Sequence, residues 1–158
     1  MNQPSKPYTI PVYKLQLVQE GTCEVTHLSD PERVAEYLKD VAVSDREQMV
    51  CLHLNTKNRP IGRQTVSIGT LNATLVHPRE VFKAALIADG SGASNIILTH
   101  NHPSGDTTPS REDDEITRKI ARAGALLGVP LLDHVIVAPG GGFFSYRNSR
   151  PDCLKGGD

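Results

Sequence analysis

Asn95-Ile-Ile-Leu-Thr-His-Asn-His-Pro-Ser-Gly-Asp-Thr-Thr-Pro-Ser-Arg-Glu-Asp-Asp114 is the stretch on which the fold turns. Its short apolar run, Asn95 to Thr99, has the character of a strand buried on both faces. Pro103, Gly105 and Pro109 make the next segment a loop. Ser110 then caps a helix in which Ile116, Ile120, Ala123 and Leu127 share one stripe, closed by Gly128. His100 and His102 stand at the strand's C-terminal end. Strand side chains repeat every two residues, so an extended segment points both imidazoles the same way. Asp113 falls in the first turn of the helix, where the loop can bring its carboxylate back to the strand end. Two imidazoles and a carboxylate are the ligand set of a catalytic zinc site whose fourth position is open to water. The H-x-H pair alone is a weak signal, and Ser110-x-x-Asp113 is independently explained as a helix cap with a dipole-favoured acid. The conjunction of the two, at a strand end and a helix start, carries the metal reading.

Working outward, Leu131 to Ala138 reads as the next strand, Pro139 to Gly142 as a turn, and Phe143, Phe144 and Tyr146 as a terminal strand. Upstream, Glu47 to Leu54 and Ile61 to Ile68 flank the polar turn Asn55 to Pro60 and predict an antiparallel hairpin. Gly69 to Asn72 breaks the pattern. Pro78 opens a helix carrying Val81, Phe82, Ala85, Leu86 and Ala88, ended by Gly90. Ser29-Asp30-Pro31-Glu32 starts another, continued by Val34, Leu38 and Val41 at helical spacing. Val12, Leu15 and Leu17 suggest a first strand, paired with Cys23 to Thr26 across Glu20-Gly21. Residues 1–11 are expected to be a flexible arm, 12–147 one domain, and 148–158 a disordered tail. Helices alternating with strands, some of them antiparallel, predict an α/β fold: a three-layer α-β-α sandwich with a mixed sheet.

The chain has 158 residues, enough for one domain with a substantial core. Its formal net charge of −1 supplies no global basic field for nucleic acid. No apolar run approaches the length of a membrane span, and the polar, Pro-containing start does not read as a secretory signal. Cys23, Cys51 and Cys153 are widely spaced without a C-x-x-C pair, so they are expected to be free thiols in a reducing cytoplasm.

H-x-H, seven residues, then S-x-x-D resembles the signature of the JAMM/MPN+ metalloprotease family. The surrounding His-Asn-His-Pro-Ser-Gly-Asp and Pro-Ser-Arg-Glu-Asp are similar to the RadC-type JAB domain. So are Asn55-Thr-Lys-Asn58, Gly69-Thr-Leu71, Val76-His-Pro-Arg-Glu80 and Leu132-Asp-His134. Together these cover about residues 45–137. The resemblance implies the MPN/JAB (cytidine-deaminase-like) architecture and one zinc ion per chain, held by His100, His102 and Asp113. It also implies a role for Ser110 in hydrogen bonding the water or the developing oxyanion. The family's general base is a glutamate upstream on a strand edge. Glu47 fits that place best, taking a proton from the attacking water and returning it to the leaving amine. Glu80 is the rival, although its place beside Pro78 also suits a first-turn helix acid. Full-length RadC proteins resemble a fusion with a helix-hairpin-helix module. Too few residues precede the domain here to hold one, so a stand-alone JAB domain is expected.

The other histidines have plainer readings. His77 is a residue before a helix-opening Pro, and His27 and His53 are loop and strand residues. His134, beside Asp133, is expected to be a hydrogen-bonded partner near the site, with a role in orienting a ligand open to it. Arg111, Arg118, Lys119 and Arg122, interrupted by Asp114 and Glu115, read as a solvated face. The leading function is a zinc-dependent metallopeptidase or isopeptidase acting on a peptide or protein substrate, with a homodimer admitted. The alternative is a non-catalytic, metal-stabilised interaction or DNA-processing module. A zinc deaminase is set aside because H-x-E and P-C-x-x-C are both missing.

Overall fold

The computed structural model describes residues 9–22, 24, 27–28, 30–69 and 76–156. The expected arm over residues 1–8, most of the Cys23–Thr26 strand, Ser29, the break at Thr70–Asn72 and the last two residues lie outside them. Among the described residues five strands form one sheet: β1 (Gln48–Leu54), β2 (Pro60–Ile68), β3 (Asn95–Asn101), β4 (Leu131–Val137) and β5 (Phe143–Ser145). Their order is β2-β1-β3-β4-β5. β1 runs antiparallel to both β2 and β3, β3 is parallel to β4, and β5 returns antiparallel. The parallel step requires a crossover, which α4 (Arg111–Leu127) supplies. The mixed sheet of the α/β expectation is thus present.

The side-chain period of two sorts the core into two faces. Met49 and Cys51 of β1, with Ile96 and Leu98 of β3, pack against α3 (Pro78–Ala85) and α4 through Val81, Phe82, Ile116 and Ile120. The alternate residues Val50, Leu52, Leu54 and Ile97 pack against α1 (Pro31–Tyr37) and α2 (Lys39–Ala42) through Val34, Leu38 and Val41. These faces make the three layers. The helix ends follow local chemistry. Asp30 caps α1 by accepting from the Arg33 N–H at 2.9 Å, with Pro31 behind it. Gly128 closes α4 at φ 71°, a left-handed conformation that glycine adopts without a Cβ penalty.

Two expectations are corrected. Residues 9–22 form no strand: Val12 is 96% exposed and Leu15 76%, so their apolar alternation buries little and pairs with none of the described strands. Strand propensity alone does not order a segment that buries nothing. The disordered tail is ordered over 148–156, and Tyr146 opens a helix rather than ending a strand. Ser145 caps α5 (Tyr146–Ser149) through the Asn148 N–H, and Pro151–Leu154 form a 3-10 turn that buries Cys153 beside Ile136 and Tyr146. An Arg150–Asp114 ion pair at 2.6 Å ties this end to α4. Among the described residues no helix is long and apolar enough to cross a membrane.

Candidate metal centre

His100 and His102 extend from the end of β3, where even-numbered side chains face α4. The loop after them returns at Ser110, and Asp113 occupies the third position of α4. Ser110 and Asp113 form a reciprocal capping box. The Asp113 N–H donates to Ser110 Oγ at 3.1 Å, while the Ser110 N–H and hydroxyl donate to Asp113 Oδ2 at 2.7 and 2.6 Å. This holds Oδ2 and leaves Oδ1 turned toward His100 Nε2, 3.1 Å away. His102 Nε2 lies 3.0 Å from His100 Nε2 and 3.6 Å from Asp113 Oδ2. The three residues offer ligand atoms all within 4.8 Å of one another. His100 is fully buried and Asp113 nearly so, while the His102 side chain keeps 15% exposure and marks the open side of the site.

The donor set fits a cation. His102 Nδ1 lies 2.6 Å from the Asp106 carbonyl oxygen, which can only accept, so a neutral His102 carries its proton on Nδ1 and presents a lone pair at Nε2. Two imidazole nitrogens and a carboxylate oxygen then converge on one point, the borderline N/O environment that suits zinc and its first-row neighbours. The electrostatics agree in sign. Burial pushes the Asp113 carboxyl up, but hydrogen bonds from Ser110 and from His100 and His102 in their protonated forms, with the charge His100 then carries, outweigh it and hold the group far below the usual carboxylate range. The hydrogen bond to Asp113 raises His102 against the opposing effect of burial, helped by the Asp106 carbonyl and the charges of Asp113 and Glu47.

Glu47 stands immediately before β1. Met49 pairs with His100, so the same antiparallel register carried two residues further sets Glu47 opposite His102. Its backbone carbonyl accepts from the Gly69 N–H at 2.8 Å. Glu80 sits in the first turn of α3, half-exposed, with its carboxylate 3.3 Å from Arg79 Nε. His77 is the exposed N-cap residue of the same helix. On α4, Arg111 pairs with Glu115 at 3.2 Å and Arg118 with Asp114 at 3.6 Å, in keeping with a solvated face, whereas half-buried Lys119 departs from it and donates to the Val76 carbonyl at 3.0 Å.

His134 on β4 does contact the site, its Nε2 2.8 Å from His100 Nδ1. Three further residues escaped sequence reasoning. Asn101, the middle residue of H-x-H, points to the other side of the sheet. It accepts from the Gln48 N–H at 2.7 Å and donates to the Ser44 and Arg46 carbonyls at 3.3 and 3.1 Å, fixing the segment that carries Glu47. No local signal marks it, because its full burial and its partners arise only when β1 and β3 pair. Thr117 lies one turn beyond Asp113, 2.6 Å from His134 Nδ1, and Tyr146 stacks on the His134 ring. Neither carries a local sequence signal, because both depend on long-range packing.

The RadC-like JAB domain family matches residues 28–151. A UPF0758 protein of Halalkalibacterium halodurans is 53% identical over 108 residues, 68% of this chain and 45% of that protein. UPF0758 proteins of Bacillus cereus and Geobacillus kaustophilus are 48% and 47% identical over 111 and 120 residues, 70% and 75% of this chain and 48% and 52% of theirs. The chain thus spans about half the length of the relatives it matches. The strand-end histidines, the capped aspartate and the match over most of the chain place it in one family: the chain belongs to the RadC-like JAB domain proteins.

Proposed function

We propose that the chain is a zinc-dependent hydrolase of amide or isopeptide bonds, working in the reducing cytoplasm on a peptide or protein substrate. The observation that carries this reading is the convergence of His100 Nε2, His102 Nε2 and the Asp113 carboxylate on one half-open point. Bound there, zinc would act as a Lewis acid on the scissile carbonyl and lower the pKa of water to about 7. The chain's own groups do the rest. Glu47, opposite His102, would take a proton from the attacking water and return it to the leaving amine. The Ser110 hydroxyl now donates to Asp113 Oδ2. Rotated away, it would donate to the developing oxyanion, while the Ser110 N–H still held the carboxylate.

The test is cleavage of peptide and isopeptide-linked conjugates by the zinc-loaded chain and by Glu47→Gln. The variant should keep its zinc and lose at least 100-fold in rate, the scale of a general base. If Glu47→Gln cleaved as fast as the unmodified chain, the base assignment would be wrong. If no conjugate were cleaved by either protein while metal loss lowered only thermal stability, the non-catalytic module would be the better account.

A further inference from the structure

We propose that Thr117, His134 and Tyr146 form a positioning relay that dictates which nitrogen of His100 faces the metal, and that this relay closes on the main chain of Asp113. The proposal rests on the metal reading given above.

Each proton follows from the one before. Thr117 Oγ1 lies 2.6 Å from the Asp113 carbonyl oxygen, which can only accept, so the Thr117 hydroxyl proton is spent there. The same oxygen lies 2.6 Å from His134 Nδ1 and has only a lone pair left to offer, so His134 must carry its proton on Nδ1. His134 is fully buried, its two nitrogens are taken up by Thr117 Oγ1 and His100 Nδ1, and among the described residues no carboxylate hydrogen-bonds to it to hold an imidazolium charge, so the ring is neutral. Its Nε2 is therefore bare, and at 2.8 Å it accepts from His100 Nδ1. A neutral His100 that has its proton on Nδ1 presents an Nε2 lone pair to the ligand point. The opposite tautomer of His134 would set two N–H groups against each other, or turn His100 Nε2 into a donor.

Tyr146 fixes the plane of this arrangement. Its ring lies 5.1 Å from the His134 ring with 9° between planes, and its hydroxyl donates to Asp114 Oδ1 at 2.9 Å. Arg150 Nη1 donates to the same oxygen at 2.6 Å. Thr117, His134 and Tyr146 are all fully buried, so no bulk water competes for these bonds. The consequence is a mechanical link between the two halves of the site. His100 arrives on β3 and Asp113 on α4, and Thr117, one turn along α4, ties them through His134.

Imidazole nitrogen NMR of the zinc-loaded full chain, with zinc affinity measured by competition against a chromogenic chelator, tests the relay. His134 should show its proton on Nδ1 and a bare Nε2. Thr117→Val should lower zinc affinity by about 10- to 100-fold, the usual effect of removing a partner behind a metal ligand, and Thr117→Ser should restore it. A proton on Nε2 of His134 in the unmodified chain would overturn the relay even if Thr117→Val failed to fold. So would a Thr117→Val chain that held zinc as tightly as the original. An unmodified chain that took up no zinc would defeat the metal reading and the relay together, whereas zinc held with the wrong tautomer defeats the relay alone.

Discussion

Replacing His53 with leucine should make the fold less sensitive to acid, and the size of the effect follows from where the imidazole sits. His53 is on the interior strand β1, 3% exposed, and its Nε2 has no hydrogen-bond partner among the described residues. Burial lowers its pKa from 6.5 to about 4. In the unfolded chain the same group titrates near its ordinary value of about 6.5, so between pH 6.5 and 4 the unfolded state binds the extra proton. Stability from a neutral His53 is therefore complete above pH 6.5 and is lost as pH falls through that window. At about 1.4 kcal/mol per pH unit, the whole window is worth about 3 kcal/mol. His53→Leu removes this dependence, and with it an orphaned buried nitrogen whose burial costs about 1–3 kcal/mol. Urea unfolding followed by far-UV circular dichroism, with chelator present in both proteins, should show the variant's advantage growing by about 2–3 kcal/mol between pH 7 and 4.5. Other groups, including buried His134, titrate equally in both chains and cancel in the difference. Parallel stability curves over that range would refute the argument.

Two other positions make sharp predictions. A Cβ on Gly124 of α4 would lie 2.6 Å from the Val129 carbonyl oxygen and 3.1 Å from Phe82 Cζ. Gly124→Ala should therefore lose about 1–2 kcal/mol to overpacking despite better helix propensity, and calorimetry should find a melting temperature about 2–8 °C lower; a rise would contradict the close approach. Cys51 is fully buried and its thiol is pushed up by that burial, so a maleimide reagent at pH 8 should label it only after unfolding, read by peptide mass spectrometry. Rapid labelling of Cys51 in the native chain would mean that the sheet opens far more readily than its packing implies.

The part of the molecule that carries the site was legible because its signals are local. H-x-H needs only an extended segment to aim both imidazoles one way, and Ser110-x-x-Asp113 needs only the first turn of a helix. The same capping geometry that made Ser110 and Asp113 ambiguous as a sequence signal is what orients the carboxylate in the structure. Glu47 could be placed by its position before β1, but the contact of its segment with Asn101 depends on the β1–β3 pairing, which joins residues about fifty apart. Thr117 and Tyr146 were invisible for the same reason: each acquires its role only when α4, β4 and the C-terminal turns have packed. The N-terminal misreading has the opposite origin. Val12, Leu15 and Leu17 have strand-like character, yet a strand also needs a partner edge, and no local pattern reports whether one is free. At the other end, Arg150 and Cys153 order a segment of polar composition through one ion pair and one buried thiol.

The central claim is that His100, His102 and Asp113 form a metal centre, and zinc content measured on the purified chain tests it most directly. Elemental analysis after purification without chelator, followed by zinc titration, should find one zinc per chain, lost in His102→Ala and kept in Glu47→Gln. No zinc in the unmodified chain, before or after titration, would contradict the account at its root.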